Sequence, residues 1–75
     1  METAVVTLVS ELSALEISEI TIEDKLSDIG IDSLKMVQLI VDVEDHFDIQ
    51  IKDSDLDLTK LVTVKSIIEL VEKYK

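Results

Sequence analysis

Asp28-Ile29-Gly30-Ile31-Asp32-Ser33-Leu34-Lys35-Met36-Val37-Gln38-Leu39-Ile40-Val41-Asp42-Val43-Glu44-Asp45-His46-Phe47-Asp48 is the stretch on which the fold turns. A glycine, then an aspartate, then an unbroken run of helix-compatible residues marks a helix start, with Asp32 as N-cap and the helix running to about Asp48. With each residue turning about 100° around the axis, the helix has three faces rather than two. Met36, Leu39, Ile40, Val43 and Phe47 form a core face. Lys35, Gln38 and Asp42 form a solvent face. On the third face Leu34, Val37 and Val41 lead into Glu44, Asp45 and Asp48. An apolar strip that runs into carboxylates, away from the core face, reads as a docking surface or as a strip packed on the preceding loop.

On the N-terminal side, Val5, Leu8, Val9, Leu12 and Leu15 repeat at helical spacing and predict a first helix over 3–15. Residues 16–31 lose that period. Ile17, Ile20, Ile22, Leu26 and Ile29 are scattered among polar residues, as in a long loop pinned to the core at several points, and so long a loop in a small domain has a functional reason. It ends at Gly30, the only glycine, where a left-handed or crowded backbone is tolerated. On the C-terminal side Asp53-Ser54-Asp55 breaks the pattern, and Asp55 is placed to cap a short helical turn through Lys60. Thr63 caps a last helix whose buried stripe is Val64, Ile67, Ile68, Val71 and Tyr74. The expected fold is all-α: residues 1–75 as one domain, a small bundle of three main helices plus one short helix, with a long loop between the first two.

Composition narrows the functions open to such a chain. Its 75 residues carry 17 acidic and 7 basic groups, a net charge of −10. That charge repels nucleic acid and anionic membranes and suits basic patches on protein partners. At 47% hydrophobic residues the chain is too apolar for an acidic disordered tail. Cysteine and proline are absent, which removes disulfides and thiolate metal sites and favours helices. A domain of this size buries only about 60% of its unfolded surface, leaving little room for a deep active site. No apolar run approaches membrane-spanning length, and no basic leader opens the chain, so a cytoplasmic location is expected.

Ser33 stands one residue after the cap, at the open end of the central helix. Unpaired backbone N–H groups and the positive end of the helix dipole favour an anion there, with Lys35 nearby. A phosphodiester on its oxygen would be well placed, but position alone favours an ordinary first-turn serine, or the cap itself. A serine nucleophile would need a base. His46, the only histidine, lies 13 positions later on the same helix. At about 1.5 Å per residue that is roughly 20 Å, far beyond hydrogen-bond reach, so His46 is expected to border the core face instead. Asp53, Asp55 and Asp57 imitate the opening of a calcium-binding EF-hand loop, but Leu58 and Val64 stand where its glycine and bidentate glutamate belong.

The segment from Asp28 to Leu34 resembles the phosphopantetheine attachment motif of acyl carrier proteins, in which an Asp-Ser-Leu tripeptide follows a glycine-containing loop and opens the second helix. Val37-Gln38-Leu39, Phe47-Asp48-Ile49-Gln50-Ile51 and Val62-Thr63-Val64 match the family's later landmarks in order, so the resemblance spans nearly the whole chain. It implies that Ser33, flanked by Asp32 and Leu34, carries a covalent 4′-phosphopantetheine whose thiol holds cargo as a thioester. It implies that the protein is a carrier and not an enzyme. It further implies that Leu34, Val37, Val41, Glu44, Asp45 and Asp48 form the partner-recognition face. The partners implied are a phosphopantetheinyl transferase and loading or acyl-processing enzymes with basic docking patches, met by a monomer that binds no nucleic acid and enters no membrane.

Lys35 and Gln38 stand where the fatty-acid carriers usually have acids, and Asp55–Leu61 is longer than in those compact carriers. The first departure reduces negative charge near the attachment site and speaks against docking on fatty-acid synthase enzymes; the longer stretch looks more like discrete carriers of polyketide, nonribosomal-peptide or aminoacyl pathways. The alternatives are a fatty-acid-synthesis or D-alanyl carrier and, from another class, a helical interaction adaptor without a prosthetic group.

Overall fold

Val5, Val9, Leu39, Val43, Val64, Ile67 and Val71 lose all solvent exposure. The computed structural model, which describes residues 2–57 and 59–74, brings them together from three helices. These are α1 (Glu2–Ser13), α2 (Ser33–Phe47) and α3 (Val64–Tyr74). Among the described residues the remaining regular structure is three short 3-10 turns and one isolated antiparallel bridge between Lys25 and Thr63. The expected all-α bundle with a long first loop is therefore the observed one. No described helix is long and apolar enough to cross a membrane.

The first helix stops two residues earlier than its apolar spacing predicts. Ala14 adopts a left-handed backbone at φ 66°, and its N–H donates to the Ser10 carbonyl at 3.1 Å, the closing bond of a helix C-terminus. Its buried face is also rotated from expectation. Val5, Val6 and Val9 are buried, while Leu8, Leu12 and Leu15 pack at the edge of the core.

The loop that follows is tied down more by its backbone than by its isoleucines. Ile20, Leu26 and Ile31 are buried, but Ile17 remains exposed. The Leu26 N–H donates to the Val62 carbonyl at 2.9 Å, and the Lys65 N–H donates to the Ile22 carbonyl at 2.8 Å. The loop thus runs along the start of α3, which satisfies polar groups that a half-buried segment cannot leave unpaired. Thr63 and Ser66 cap α3 reciprocally: the Ser66 N–H donates to Thr63 Oγ1 at 3.2 Å, and the Thr63 N–H to Ser66 Oγ at 3.4 Å.

The short fourth helix is not found as expected. A 3-10 turn covers Asp53–Asp55, and it is Asp57 that receives the Thr59 N–H at 3.0 Å and, through its carbonyl, the Lys60 N–H at 2.9 Å. Leu58, in the middle of the expected turn, lies outside the described residues. Asp55 does not cap this turn because its carboxylate is engaged by Lys73 and Tyr74 of α3.

Candidate functional site

The mouth of α2 is shaped mainly by contacts between near neighbours in sequence, on a turn moored to Val62 through the Leu26 N–H. The 3-10 turn Leu26–Ile29 closes on Gly30, whose left-handed backbone (φ 87°, ψ 15°) redirects the chain. The Ile31 N–H then donates to the Leu26 carbonyl at 2.9 Å, and the Ile31 side chain is buried. Asp32 is extended (φ −84°, ψ −173°), and its carboxylate accepts the Lys35 N–H at 2.9 Å. Its carbonyl accepts the Met36 N–H at 2.8 Å. Asp32, not Ser33, is therefore the cap. Ser33 is the first helical residue, its side chain exposed. The amides of Ser33 and Leu34 belong to the first turn, where N–H groups have no partner within the helix and favour an anion.

Ser33 also borders a groove of about 210 Å³ whose apolar floor is Leu26, Ile31, Met36 and Leu61. Ser27 and Val62 form its rim. An exposed hydroxyl on an anion-favouring helix end, beside a shallow apolar trough, fits a phosphodiester-linked arm with an apolar portion.

The third face of α2 stands open along its upper half. Leu34 is 81% exposed, Val37 59% and Val41 43%. The loop does not cover them, so the strip is a free surface. Asp45 and Asp48 are exposed at its far end. Glu44 is placed differently: it is half-buried, and its carboxylate accepts the Ile51 N–H at 2.7 Å. It ties the segment after α2 back onto the helix. On the solvent face, Gln38 donates to Asp42 at 2.8 Å. His46 is exposed rather than bordering the core, its ring edge-on to Phe47 with centroids 4.8 Å apart.

A second groove, of about 420 Å³, lies between α2 and residues 50–56. Val37, Ile40 and Val41 line one side, and Ile51 and Leu56 the other. Its outer wall is held by a cluster that sequence reading missed. The Lys52 N–H donates to the Tyr74 hydroxyl at 2.9 Å, that hydroxyl donates to Asp55, and Lys73 Nζ lies 2.6 Å from the same carboxylate. These donors, Lys73 first and Tyr74 second, hold the Asp55 carboxyl below the usual aspartate range. The same carboxylate raises the Lys73 ammonium and the Tyr74 phenol above their ordinary values. Only Tyr74's place at the end of the α3 stripe hinted at such a role. Nothing in the sequence says what meets it from 19 residues away.

Comparison with known proteins places the chain as a whole. The family model described as the phosphopantetheine attachment site matches residues 3–71. An acyl carrier protein homolog of Mycoplasmopsis pulmonis is 44% identical over 66 residues, covering 88% of this chain and 88% of that protein. The acyl carrier protein of an Exiguobacterium species is 40% identical over 65 residues, 85% of this chain and 80% of its own length. A non-reducing polyketide synthase of Emericella nidulans contains a similar segment, 41% identical over 66 residues, which is 88% of this chain but 2% of that protein.

Proposed function

This chain belongs to the acyl carrier protein family, and we propose that Ser33 is its attachment residue and that it serves a polyketide or nonribosomal-peptide type of pathway. The family is one of carriers rather than enzymes, modified by phosphopantetheinyl transferases and visited by acyl-processing enzymes. Its covalent group is 4′-phosphopantetheine, which when bound supplies a terminal thiol that holds cargo as a thioester. This chain, without cysteine, has no thiol of its own. Family membership displaces the reading as an adaptor without a prosthetic group.

The single observation that carries the site assignment is the exposed Ser33 at the first helical position, immediately after a cap made by Asp32. Asp32 orients the first turn through Lys35 N–H, and the amides of Ser33 and Leu34 favour a phosphodiester on the Ser33 oxygen. Leu34, Val37 and Val41 offer contact to a partner, while Asp45 and Asp48 steer its basic groups. Glu44 contributes charge to the same face, but its first task is to hold Ile51. Residues 1–75 form one domain that works as a monomer, because the open strip suits brief encounters.

The pathway reading rests on Lys35 and Gln38, which reduce the negative charge beside Ser33, and on the long Asp55–Leu61 segment. The similar segment within a polyketide synthase favours it. The attachment reading is tested by intact mass after incubation with coenzyme A and a broad-specificity phosphopantetheinyl transferase. The wild-type protein gains one arm. Ser33→Ala gains none and keeps its helical circular dichroism. A modified Ser33→Ala, or an unmodified wild type beside a working control, overturns the assignment.

A further inference from the structure

The acidic residues are unevenly spread, and the gaps between them meet at Ser33. Of 75 residues 17 are acidic, yet residues 58–68 and residues 33–41 hold none, the two longest such stretches in the chain. The fold brings them together: Ser33 and Met36 from one, with Leu61 and Val62 from the other, line the smaller groove. The same stretches supply Leu34, Val37, Val41 and Val62, the last 43% exposed. Among the described residues, only Ile17 is a large exposed apolar side chain from elsewhere. Each stretch also carries an exposed lysine, Lys35 two residues after Ser33 and Lys60 two residues before Val62. Neither forms an ion pair among the described residues, where the one such pair joins Lys73 to Asp55. Three of the acids that bound the stretches are turned onto donors inside them. Asp32 accepts the Lys35 N–H, Asp42 the Gln38 amide, and Asp57 the N–H and hydroxyl of Thr59. Asp28 stays exposed on the loop side of Ser33.

We propose that the enzymes this carrier serves meet Ser33 with an apolar entrance bordered by carboxylates, and that Lys35 and Lys60 are the specificity-determining residues that pair with them. Calling that surface an entrance rests on the attachment reading of Ser33; its polarity does not. Along α2 the first acid after Ser33 is Asp42, about 14 Å away, and Asp45 follows at about 18 Å. Exposed charges are screened over about 8 Å at physiological salt. The net charge of −10 therefore steers a partner from a distance in dilute salt, while the two lysines act on whatever touches the rim of Ser33. A fitting partner carries both signs: carboxylates at its entrance, and basic groups farther along, facing Asp45 and Asp48. That order of charges fixes the direction in which α2 lies on the partner, because the reversed pose sets like charges against each other. A partner that is basic throughout is repelled at Lys35 and Lys60.

Two measurements on the unmodified, isotope-labelled protein in about 0.15 M salt test this. The first compares the amide relaxation caused by an anionic and by a cationic nitroxide, which together report the local potential. Amides at 34–37 and 60–63 are expected to respond about twofold more to the anionic probe, and those at 44–48 more to the cationic one. Lys35→Glu combined with Lys60→Glu reverses the first ratio, leaves the second, and keeps the helical circular dichroism. Lys35→Gln with Lys60→Gln lies between. The second measurement titrates two amphipathic helical peptides with the same leucine face, one bearing glutamates and the other lysines on the opposite face. The glutamate peptide is expected to shift the amides of Leu34, Val37 and Val62. It binds the Lys35→Glu, Lys60→Glu protein about fivefold more weakly, the size of two exposed charge pairs. The lysine peptide shifts amides around Asp45 and Asp48 instead. An equal or stronger response to the cationic probe at 34–37 and 60–63 overturns the proposal. So does a lysine peptide that prefers the rim of Ser33. Shifts at both ends of α2 that grow with protein concentration alone make the occupant a second copy of this chain, and overturn the enzyme as partner. A protein that takes up no arm in the mass measurement overturns the attachment reading and the entrance with it, while the nitroxide ratio and the peptides still decide the polarity.

Discussion

The mouth of α2 and the wall after α2 are built on opposite plans. At the mouth, the contacts that shape the helix start join residues close in sequence: Asp32 to Lys35 N–H, Asp32 carbonyl to Met36 N–H, Ile31 N–H to Leu26 carbonyl, and this local unit is moored to the rest of the bundle by the Leu26 N–H on the Val62 carbonyl. In the wall, the fixing contacts reach across 7, 19 and 22 positions, from Ile51 to Glu44, Asp55 to Tyr74 and Lys52 to Tyr74. Local contacts cost little loop-closure entropy and form with the helix itself. Long-range contacts depend on the rest of the bundle being folded first. The proposed attachment residue Ser33, which a modifying enzyme must find in one geometry, suits the first plan.

The comparison fails if both regions simply report the shared core. Leu39 is fully buried in the middle of α2, beneath both. Leu39→Ala is expected to cost about 2–5 kcal/mol, a large part of the stability of so small a domain. Chemical denaturation followed by circular dichroism and by hydrogen exchange at Asp32–Met36 and at 51–56 should then show the two regions melting together. At the mouth alone, Gly30→Ala forces a side chain into φ 87°. The nearest atom to the added carbon is the Ser13 carbonyl oxygen at 4.0 Å, so the cost is backbone strain and not a clash, about 1–2 kcal/mol. Asp32→Ala removes the cap for about 1 kcal/mol, and Asp32→Asn restores most of it. Both mouth variants should slow transfer of the arm to Ser33 while exchange at 51–56 keeps its wild-type rate. If the wall loosens as well, the two plans are one.

The wall has its own signature in pH. Lys73 and Tyr74 hold the Asp55 carboxyl low, so the stabilisation it provides is complete above the ordinary aspartate value and fades as pH falls through the lowered one. Asp55 raises Tyr74 and Lys73, so their share is complete below their ordinary values and fades as pH rises through the raised ones. The cluster is therefore whole between about pH 4 and pH 10. Tyr74 is the only tyrosine and there is no tryptophan, so near-ultraviolet absorbance reads its ionisation without interference. The wild-type phenol should titrate above the ordinary tyrosine value, and Asp55→Asn should bring it down. Equal midpoints in the two proteins would mean that Asp55 and Tyr74 do not meet in solution.

The same division explains what could be read in the sequence. The boundaries of α2, its cap, the left-handed turn at Gly30 and the grouping of Leu34, Val37 and Val41 on one strip all follow from spacing within a few residues, and all are found; that the loop leaves the strip uncovered does not follow from spacing. The end of α1 was misjudged because Leu15 keeps the helical apolar period after Ala14 has already turned the chain; packing, not periodicity, decides there. The short helix from Asp55 was misjudged for a related reason. A carboxylate before a turn looks like a cap, and nothing local reveals that Tyr74 and Lys73 claim it. Glu44 was grouped with Asp45 and Asp48 because all three share a face, yet its carboxylate turns toward the Ile51 amide. Ser33 shows the limit from the other side. Its position was legible, but only the family pattern distinguished an attachment residue from an ordinary first-turn serine.

Where α2 ends, the two regions meet at Asp48, and the smallest expected effect lies there. Asp48 is left-handed (φ 54°, ψ 51°), and its N–H closes the helix on the Glu44 carbonyl. Gly30, two residues before the extended Asp32 cap, occupies the same backbone region, so a left-handed residue flanks α2 on either side, one without a side chain and one with a charge. Asparagine tolerates that conformation about as well as aspartate does. Asp48→Asn is therefore expected to leave the melting temperature and the exchange of the wall within error while removing one carboxylate from the partner face. If that face steers basic partners, association with the phosphopantetheinyl transferase should slow by a factor of about two to three at low ionic strength, and the difference should vanish in about 0.5 M salt, where the screening length falls to a few ångströms. A slower association that persists in high salt would assign Asp48 a contact rather than a field. No change at either ionic strength would confine the partner face to its apolar strip and leave the carboxylates at its far end without a part in recognition.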